Sequence, residues 1–339
     1  MICGFSLAKL VRIIPSLKAS CTTLLNQQLR MQSTSLCNPT NFILDFDGTI
    51  TTKDTISTLA KIGIARQKIR GKDLTAAWDE IVALYIEDSS THNASYGPKK
   101  ENRKSLAQEI AYYRSLREVE LESFERVSKS GLFRGISEDE WKRAAIDAIE
   151  SGEVVMRAGL KEFMLDLRRR GGKCGVVSVN FSSHFIRGVL EANGLETFDM
   201  EILANLPDEN GVLFGPRVQV DGEVRPVMAT SDAKLSWMKY LLSSWAVGNY
   251  ERSMLSPGNS VYIGDSGTDI ECLAAPNLIG VIIAENGESS LMETLQRVEL
   301  QSDHVQDYWE GNENRLYWAN DFQDILNSPL SVTSSIKNV

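Results

Sequence analysis

Asn41-Phe42-Ile43-Leu44-Asp45-Phe46-Asp47-Gly48-Thr49 decides the fold: an apolar run ends in two carboxylates spaced two apart, followed by a Gly-Thr turn. Side chains two apart on a strand share a face, so Asp45 and Asp47 project together from the end of a buried strand. Two like charges so placed repel unless a divalent cation lies between them or one takes up a proton. The pair therefore suggests a Mg²⁺ site with one carboxylate as nucleophile and the other as proton carrier. Gly48 and Thr49 suit a tight turn whose N–H groups hold a phosphate. A strand end meeting a polar turn carries the same pattern, and the segments further along the chain choose between the two.

Three more apolar, strand-like runs follow: Lys173 to Val177 and Val261 to Ile263, each far from the run before it, and then Ile279 to Ile283. The first two of these, like Phe42 to Leu44, lead into a polar Gly- or Ser-bearing turn and then a helical pattern. That alternation predicts a parallel α/β sheet whose functional edge lies at the strand C-termini. More than 100 residues separate the first two strands and read almost wholly helical, far too long for a crossover. They predict a helical subdomain.

Within it, Ile136-Ser137-Glu138-Asp139-Glu140-Trp141 has the form of a capping box with a hydrophobic staple. The polar stretch His92 to Asn102, with Gly97-Pro98, predicts an exposed loop. Asn210-Gly211, Gly215-Pro216 and Asp221-Gly222 predict hairpins between Asn205 and Arg225. Leu316, Tyr317, Trp318, Phe322 and Ile325 predict a last docked helix, with the final ten residues frayed.

The chain has 339 residues, 42% apolar and 24% charged, ordinary for a globular protein able to bury a sizeable core. Its charge of −9 is uneven: the first 40 residues carry Lys9, Arg12, Lys18 and Arg30 and no acid, leaving 32 basic against 45 acidic side chains beyond them. So acidic a body argues against a nucleic-acid surface. The acid-free start, with Leu7, Leu10, Val11 and Ile14 at helical spacing, matches a mitochondrial targeting segment as well as a disordered extension. Mitochondrial localisation is the expectation, with Met31 as a second start for a cytoplasmic form. The segment is too short and too basic to span a membrane. Five cysteines without paired spacing indicate neither a disulfide framework nor a zinc site.

Ser178, ending the second strand in Val176-Val177-Ser178-Val179-Asn180, offers a hydroxyl to a phosphoryl oxygen, although a serine there also serves as a helix cap. Lys234 opens a helical pattern, where its ammonium would neutralise carboxylate and phosphate alike; a solvated helix lysine reads the same. Gly264-Asp265-Ser266-Gly267-Thr268-Asp269 supplies carboxylates at the third strand end, and Asp265 would complete an oxygen-ligand Mg²⁺ site.

The ordered set Asp-x-Asp-Gly-Thr, Ser, Lys and Gly-Asp-x-x-x-Asp resembles the haloacid dehalogenase superfamily of phosphatases over nearly all of the chain after residue 40. The resemblance implies a doubly wound, Rossmann-like α/β core with an inserted helical cap and catalysis through an aspartyl-phosphate. The domains would be a core of residues 41–54 and 156–330, a cap of 55–155 and a targeting or disordered extension of 1–40. It further implies that Asp45 attacks phosphorus and Asp47 protonates the leaving oxygen and then activates water. Ser178 and Lys234, with Thr49, Val179 and Thr268, would hold the phosphate. Asp45, the backbone carbonyl of Asp47, and Asp265 would hold Mg²⁺, with Asp269 supporting them.

Within the superfamily the chain resembles the phosphoserine-phosphatase-like branch. There the position nine residues after the nucleophile is a glutamate associated with the substrate amino group, whereas here it is Asp54. The stretches Asp45 to Ile64, Arg126 to Ala145, Lys234 to Leu242 and Tyr262 to Ile283 resemble the phosphatase half of plant thiamin monophosphate phosphatases. Those share the aspartate but carry leucine at the Gly48 position and an aspartate at the Ala233 position. The expected function is a Mg²⁺-dependent phosphomonoesterase acting on a small phosphorylated metabolite, thiamin monophosphate first and phosphoserine or a methionine-salvage enol phosphate as alternatives. A catalytically idle protein-binding scaffold is the rival of a different class. Trp78, Tyr85, Tyr112, Tyr113 and Trp141 suit either a ring-stacking surface in the cap or its core.

Overall fold

Alternate residues of β1 (Asn41–Leu44) enter different apolar layers, which is why the run carries no polar side chain after Asn41. Phe42 and Leu44 pack with Phe163, Phe185 and Phe322, while Ile43 packs with Met238, Leu241 and Tyr262. A strand buried on both faces needs helices on both, as in parallel sheets. The computed structural model describes residues 41–217, 226–247, 260–309 and 312–331. Its remaining sheet strands are β2 (Lys173–Val177), β3 (Glu201–Leu203), β6 (Ser260–Gly264), β7 (Ile279–Ile283), β8 (Asp303–His304) and β9 (Leu316–Ala319). They form one seven-stranded sheet in the order β3-β2-β1-β6-β7-β9-β8, with every pairing parallel.

The chain leaves β1 to one side for β2 and returns on the other side for β6. The crevice over β1 and β6 is therefore a topological switch point, where ligands of open α/β sheets bind beyond the strand C-termini. Between β1 and β2 the described residues hold five α-helices ahead of the sheet's next helix: α1 (Ile56–Ile69), α2 (Thr75–Ser95), α3 (Leu106–Ser115), α4 (Arg117–Ser130) and α5 (Glu138–Glu150). They form the helical insertion. The others, α6 (Leu160–Arg169), α7 (Ser183–Ala192), α8 (Ser231–Val247), α9 (Ile270–Leu273), α10 (Ser290–Arg297) and α11 (Phe322–Asn327), flank the sheet.

Ser137 caps α5 as its sequence predicts: its Oγ accepts from Glu140 N at 3.3 Å, and Glu140 Oε2 accepts from Ser137 N at 2.9 Å. The helix then lies tightly on α7, because Gly188 has no Cβ to collide with the backbone of Lys142 or the methyl of Ala145. The Asn210-Gly211 turn joins β4 (Leu206–Pro207) to antiparallel β5 (Leu213–Phe214), the hairpin expected there. Trp141 is core, only 1% exposed.

Two local expectations are corrected. Residues His92 to Ser95 belong to α2, because the His92 ring bonds Ser115 Oγ at 2.8 Å and stacks on Tyr96, contacts that draw the polar stretch into the helix. Leu316 to Trp318 form strand β9 rather than part of a helix, since β7 offers an open edge that their β-prone side chains fill; only Phe322 and Ile325 lie in α11. The first 40 residues, the Asp221-Gly222 turn and residues 332–339 lie outside the described residues. No helix among the described residues is long and apolar enough to cross a membrane.

Candidate active site

Strand register brings the motifs together. Leu44 pairs with Val176 on one side and Ile263 on the other, so Asp45, Ser178 and Asp265 all emerge just past the same edge of the sheet. Asp45 N donates to Ile263 O at 2.8 Å, which extends the ladder by one residue and points the carboxylate into the crevice. Helix α8 delivers Lys234 in its first turn, a place where a cation opposes the helix dipole. Carboxylates compensate: Lys234 Nζ lies 2.8 Å from Asp45 Oδ1 and 2.6 Å from Asp269 Oδ1. Lys234 is wholly buried, which excludes the solvated helix lysine.

Both oxygens of Asp269 are taken by protein donors. Oδ1 receives Lys234 and the Tyr262 hydroxyl at 2.6 Å, and Oδ2 receives Ser266 N, Ser266 Oγ and Asp265 N. Asp269 thus fixes the ammonium and the turn that presents Asp265. Asp45, Asp265 and Asp269 bring ligand oxygens within 4.8 Å of one another. Thr49 points its hydroxyl at Asp265 Oδ1, 3.0 Å away, and Thr268 pairs its own with Ser266 Oγ at 2.9 Å. Ser178 is buried and its Oγ accepts from Asn180 N at 3.2 Å, leaving the O–H to donate; Ser182, not Ser178, caps α7. Val179 follows it with its carbonyl accepting from Asn205 Nδ2 at 3.0 Å.

Asp47 stands at the mouth. Thr55 N and Thr55 Oγ1 donate to its Oδ1 at 2.8 and 2.6 Å, and Asn180 Nδ2 donates to its Oδ2 at 2.8 Å. Asp54 is exposed, with Oδ1 accepting from Ile56 N at 2.7 Å at the start of α1.

With this geometry the family model for haloacid dehalogenase-like hydrolases matches residues 42–274. The chain belongs to the haloacid dehalogenase-like hydrolase family. Cold tolerance protein 1 of Saccharomyces cerevisiae is 26% identical over 278 residues, covering 74% of this chain and 80% of that protein. The bifunctional TH2 protein, mitochondrial, of Arabidopsis thaliana is 23% identical over 256 residues, covering 71% of this chain and 39% of that protein. Among solved structures, cytosolic 5'-nucleotidase IIIB bound to cytidine has the same fold, with a TM-score of 0.54 at 14% identity over 92% of this chain and 90% of that one.

The electrostatics of this haloacid dehalogenase-like hydrolase suit a divalent cation. Burial and the neighbouring Asp269 push Asp45 well above the usual carboxylate range against the pull of Lys234, and burial with Asp269 pushes Asp265 up to about 7. Burial alone would raise Asp269 too, but the Lys234 ammonium holds it low. Crowded oxygen donors that resist joint ionisation are the surroundings in which a hard cation replaces protons, and Mg²⁺ fits them. Asp47 is pushed up to about 6 by burial and by Asp54, close enough to neutrality for its carboxyl to take up or release a proton.

Three residues that sequence reasoning missed complete the site. Asn180 reaches Asp47, as described. The Arg157 guanidinium donates to Thr49 O at 2.9 Å and Gly48 O at 2.5 Å, clamping the turn after the carboxylates. Asn205 ties the loop after β2 to the approach to α8, donating to Val179 O, Asn180 O and Met228 O. Asn180, two residues past Ser178, carried a signal, a polar side chain at a strand end, and Asn205 opens the Asn205 to Gly215 stretch that resembles the phosphoserine-phosphatase-like branch; Arg157, distant in sequence, carried none.

Proposed function

We propose that this hydrolase is a Mg²⁺-dependent phosphomonoesterase that works through an aspartyl-phosphate on Asp45. The observation that carries the reading is the Lys234 ammonium 2.8 Å from Asp45 Oδ1 in a buried site that also holds Asp265. Asp45 would attack phosphorus while Ser178 O–H and Lys234 hold and neutralise the phosphoryl oxygens. Asp47 would protonate the leaving oxygen and then take a proton from the attacking water. Asp45, the main-chain carbonyl of Asp47, and Asp265 would hold Mg²⁺, which when bound neutralises charge on the transferring group. Asp269, its oxygens already engaged, would support that set from behind Lys234.

A small phosphorylated metabolite is the substrate class, with thiamin monophosphate the first named candidate. The stretches shared with plant thiamin monophosphate phosphatases support it, as does the exposed Asp54 carboxylate at the mouth, suited to a cationic ring. The basic, acid-free first 40 residues support a mitochondrial destination. The deciding experiment is hydrolysis by purified protein with Mg²⁺ of a panel including thiamin monophosphate, phosphoserine and an enol phosphate, scored by kcat/KM. Asp45→Asn is expected to lower turnover by several orders of magnitude in a folded protein, and chelation to abolish it reversibly. Substantial turnover by clean Asp45→Asn would remove the covalent mechanism.

A further inference from the structure

The side chain at residue 47 is held more completely than a mobile proton carrier needs. Its Oδ1 is filled by two donors from one residue, Thr55 N and Thr55 Oγ1, while Oδ2 receives a single donor, Asn180 Nδ2. The two donors also hold each other, since Asn180 Nδ2 reaches Thr55 Oγ1 at 3.0 Å. The amide orientation follows from its surroundings: Asn180 Oδ1 accepts from Ser182 N at 3.0 Å, so the NH₂ must face the carboxylate. Asn180 is 0% exposed and Thr55 2%, so neither bond competes with bulk water. Asn180 is anchored in turn by Asn205, whose N and Nδ2 donate to its carbonyl at 3.2 and 3.1 Å.

We propose that Thr55 and Asn180 are positioning residues for Asp47, locking its carboxylate so that Oδ2, with one lone pair free, is the oxygen that hands a proton to the leaving group. The inference rests on the phosphomonoesterase reading above and deepens it. As an Asp45 oxygen forms its bond to phosphorus, the bond from phosphorus to the leaving oxygen breaks, and the Asp47 Oδ2 proton moves to that oxygen to release an alcohol. In the second half, water attacks phosphorus, its proton passes to Asp47 Oδ2, and the bond to Asp45 breaks to give orthophosphate. Nothing is oxidised or reduced. Because Thr55 opens α1 at the entry to the helical insertion and Asn180 belongs to the core loop after β2, the carboxylate is aimed only when both segments are seated.

Proton donation matters most when the leaving group is a poor one, and this separates positioning from a merely structural role. The test compares kcat/KM on p-nitrophenyl phosphate, whose phenolate leaves unaided, with kcat/KM on phenyl phosphate, whose phenolate needs the proton. Thr55→Val keeps the shape and removes the hydroxyl; it is expected to cost roughly tenfold to a hundredfold on phenyl phosphate and less than about threefold on p-nitrophenyl phosphate. Thr55→Ser should restore the wild-type ratio. Asn180→Ser serves as the second variant if Thr55→Val folds poorly, with the same selective loss expected. Introduced into Asp47→Asn, either substitution should cost nothing further on phenyl phosphate. Equal losses on the two esters, or an undiminished loss in the Asp47→Asn background, overturn the inference while leaving the covalent mechanism standing. Active Asp45→Asn removes the mechanism and the inference with it.

Discussion

Gly48 and Asp265 occupy the same space but for a missing methyl group: a Cβ built on Gly48 would overlap the Asp265 carboxylate, and Gly48 sits at φ +75°. The turn after the two aspartates therefore comes this close to the third-strand carboxylate only because its residue is glycine. Gly48→Ala should cost about 1–2 kcal/mol from the left-handed backbone alone and displace Asp265 from its Thr49 bond. A Mg²⁺ titration of activity is expected to shift to markedly higher concentration while the far-UV spectrum stays native. An unchanged Mg²⁺ requirement would mean that Asp265 does not serve the metal.

Lys234 neutralises two carboxylates where water cannot. Lys234→Met leaves those charges buried and unpaired, which should cost about 3–5 kcal/mol by denaturant unfolding and abolish turnover. Adding Asp269→Asn should recover part of the stability and none of the activity, since one surplus charge is removed but the phosphate has still lost its cation. Recovery of both would place Lys234 in a structural role.

Arg157 grips two carbonyls with separate nitrogens of one planar group. Arg157→Lys keeps the charge and loses the fork, so a roughly tenfold fall in kcat/KM is expected with about 1–2 kcal/mol of stability lost through the missing hydrogen bonds. Matched thermal unfolding and kinetics check both numbers. Unchanged kinetics would show that the turn holds itself.

Asp54 is exposed and bonds the amide at the start of α1 through Oδ1 alone, so its second carboxylate oxygen has no bond to hold it from a ligand. Asp54→Ala should reduce kcat/KM for a cationic substrate such as thiamin monophosphate by roughly tenfold or more, in keeping with about 1–3 kcal/mol for a charge-assisted contact, and barely affect p-nitrophenyl phosphate. Equal losses on both would make Asp54 a cap for α1 and leave thiamin to the resemblance.

Residues 1–40, basic and without acids, are expected to carry a fluorescent protein into mitochondria. Co-localisation with a mitochondrial dye checks this. A diffuse cytosolic signal from that fusion would count against import.

What the sequence settled is chemistry held in short, contiguous stretches. The Phe42 to Leu44 run followed by Asp45 and Asp47, the Ser178 strand end and Asp265 could each be picked out, because a buried strand must be apolar and its first polar residue marks the sheet edge; Lys234, on a helix, gained its reading only from its place in the ordered set. The alternation of such strands with helical patterns was enough for a parallel α/β sheet. Leu316 to Trp318 misled, since β-prone residues beside a helix take the conformation that an open sheet edge offers, and that edge is supplied by β7, distant in the chain.

Only the tertiary structure decided how the groups are held. Thr55 and Asn180 meet at Asp47 although 125 residues separate them, and Arg157 finds Gly48 from 109 residues away. No periodicity encodes such meetings. They depend on strand order and register, which arise from the packing of the whole sheet and not from any one segment. A residue's chemical type can be read locally, but the partner that orients it is chosen by where the fold returns the chain.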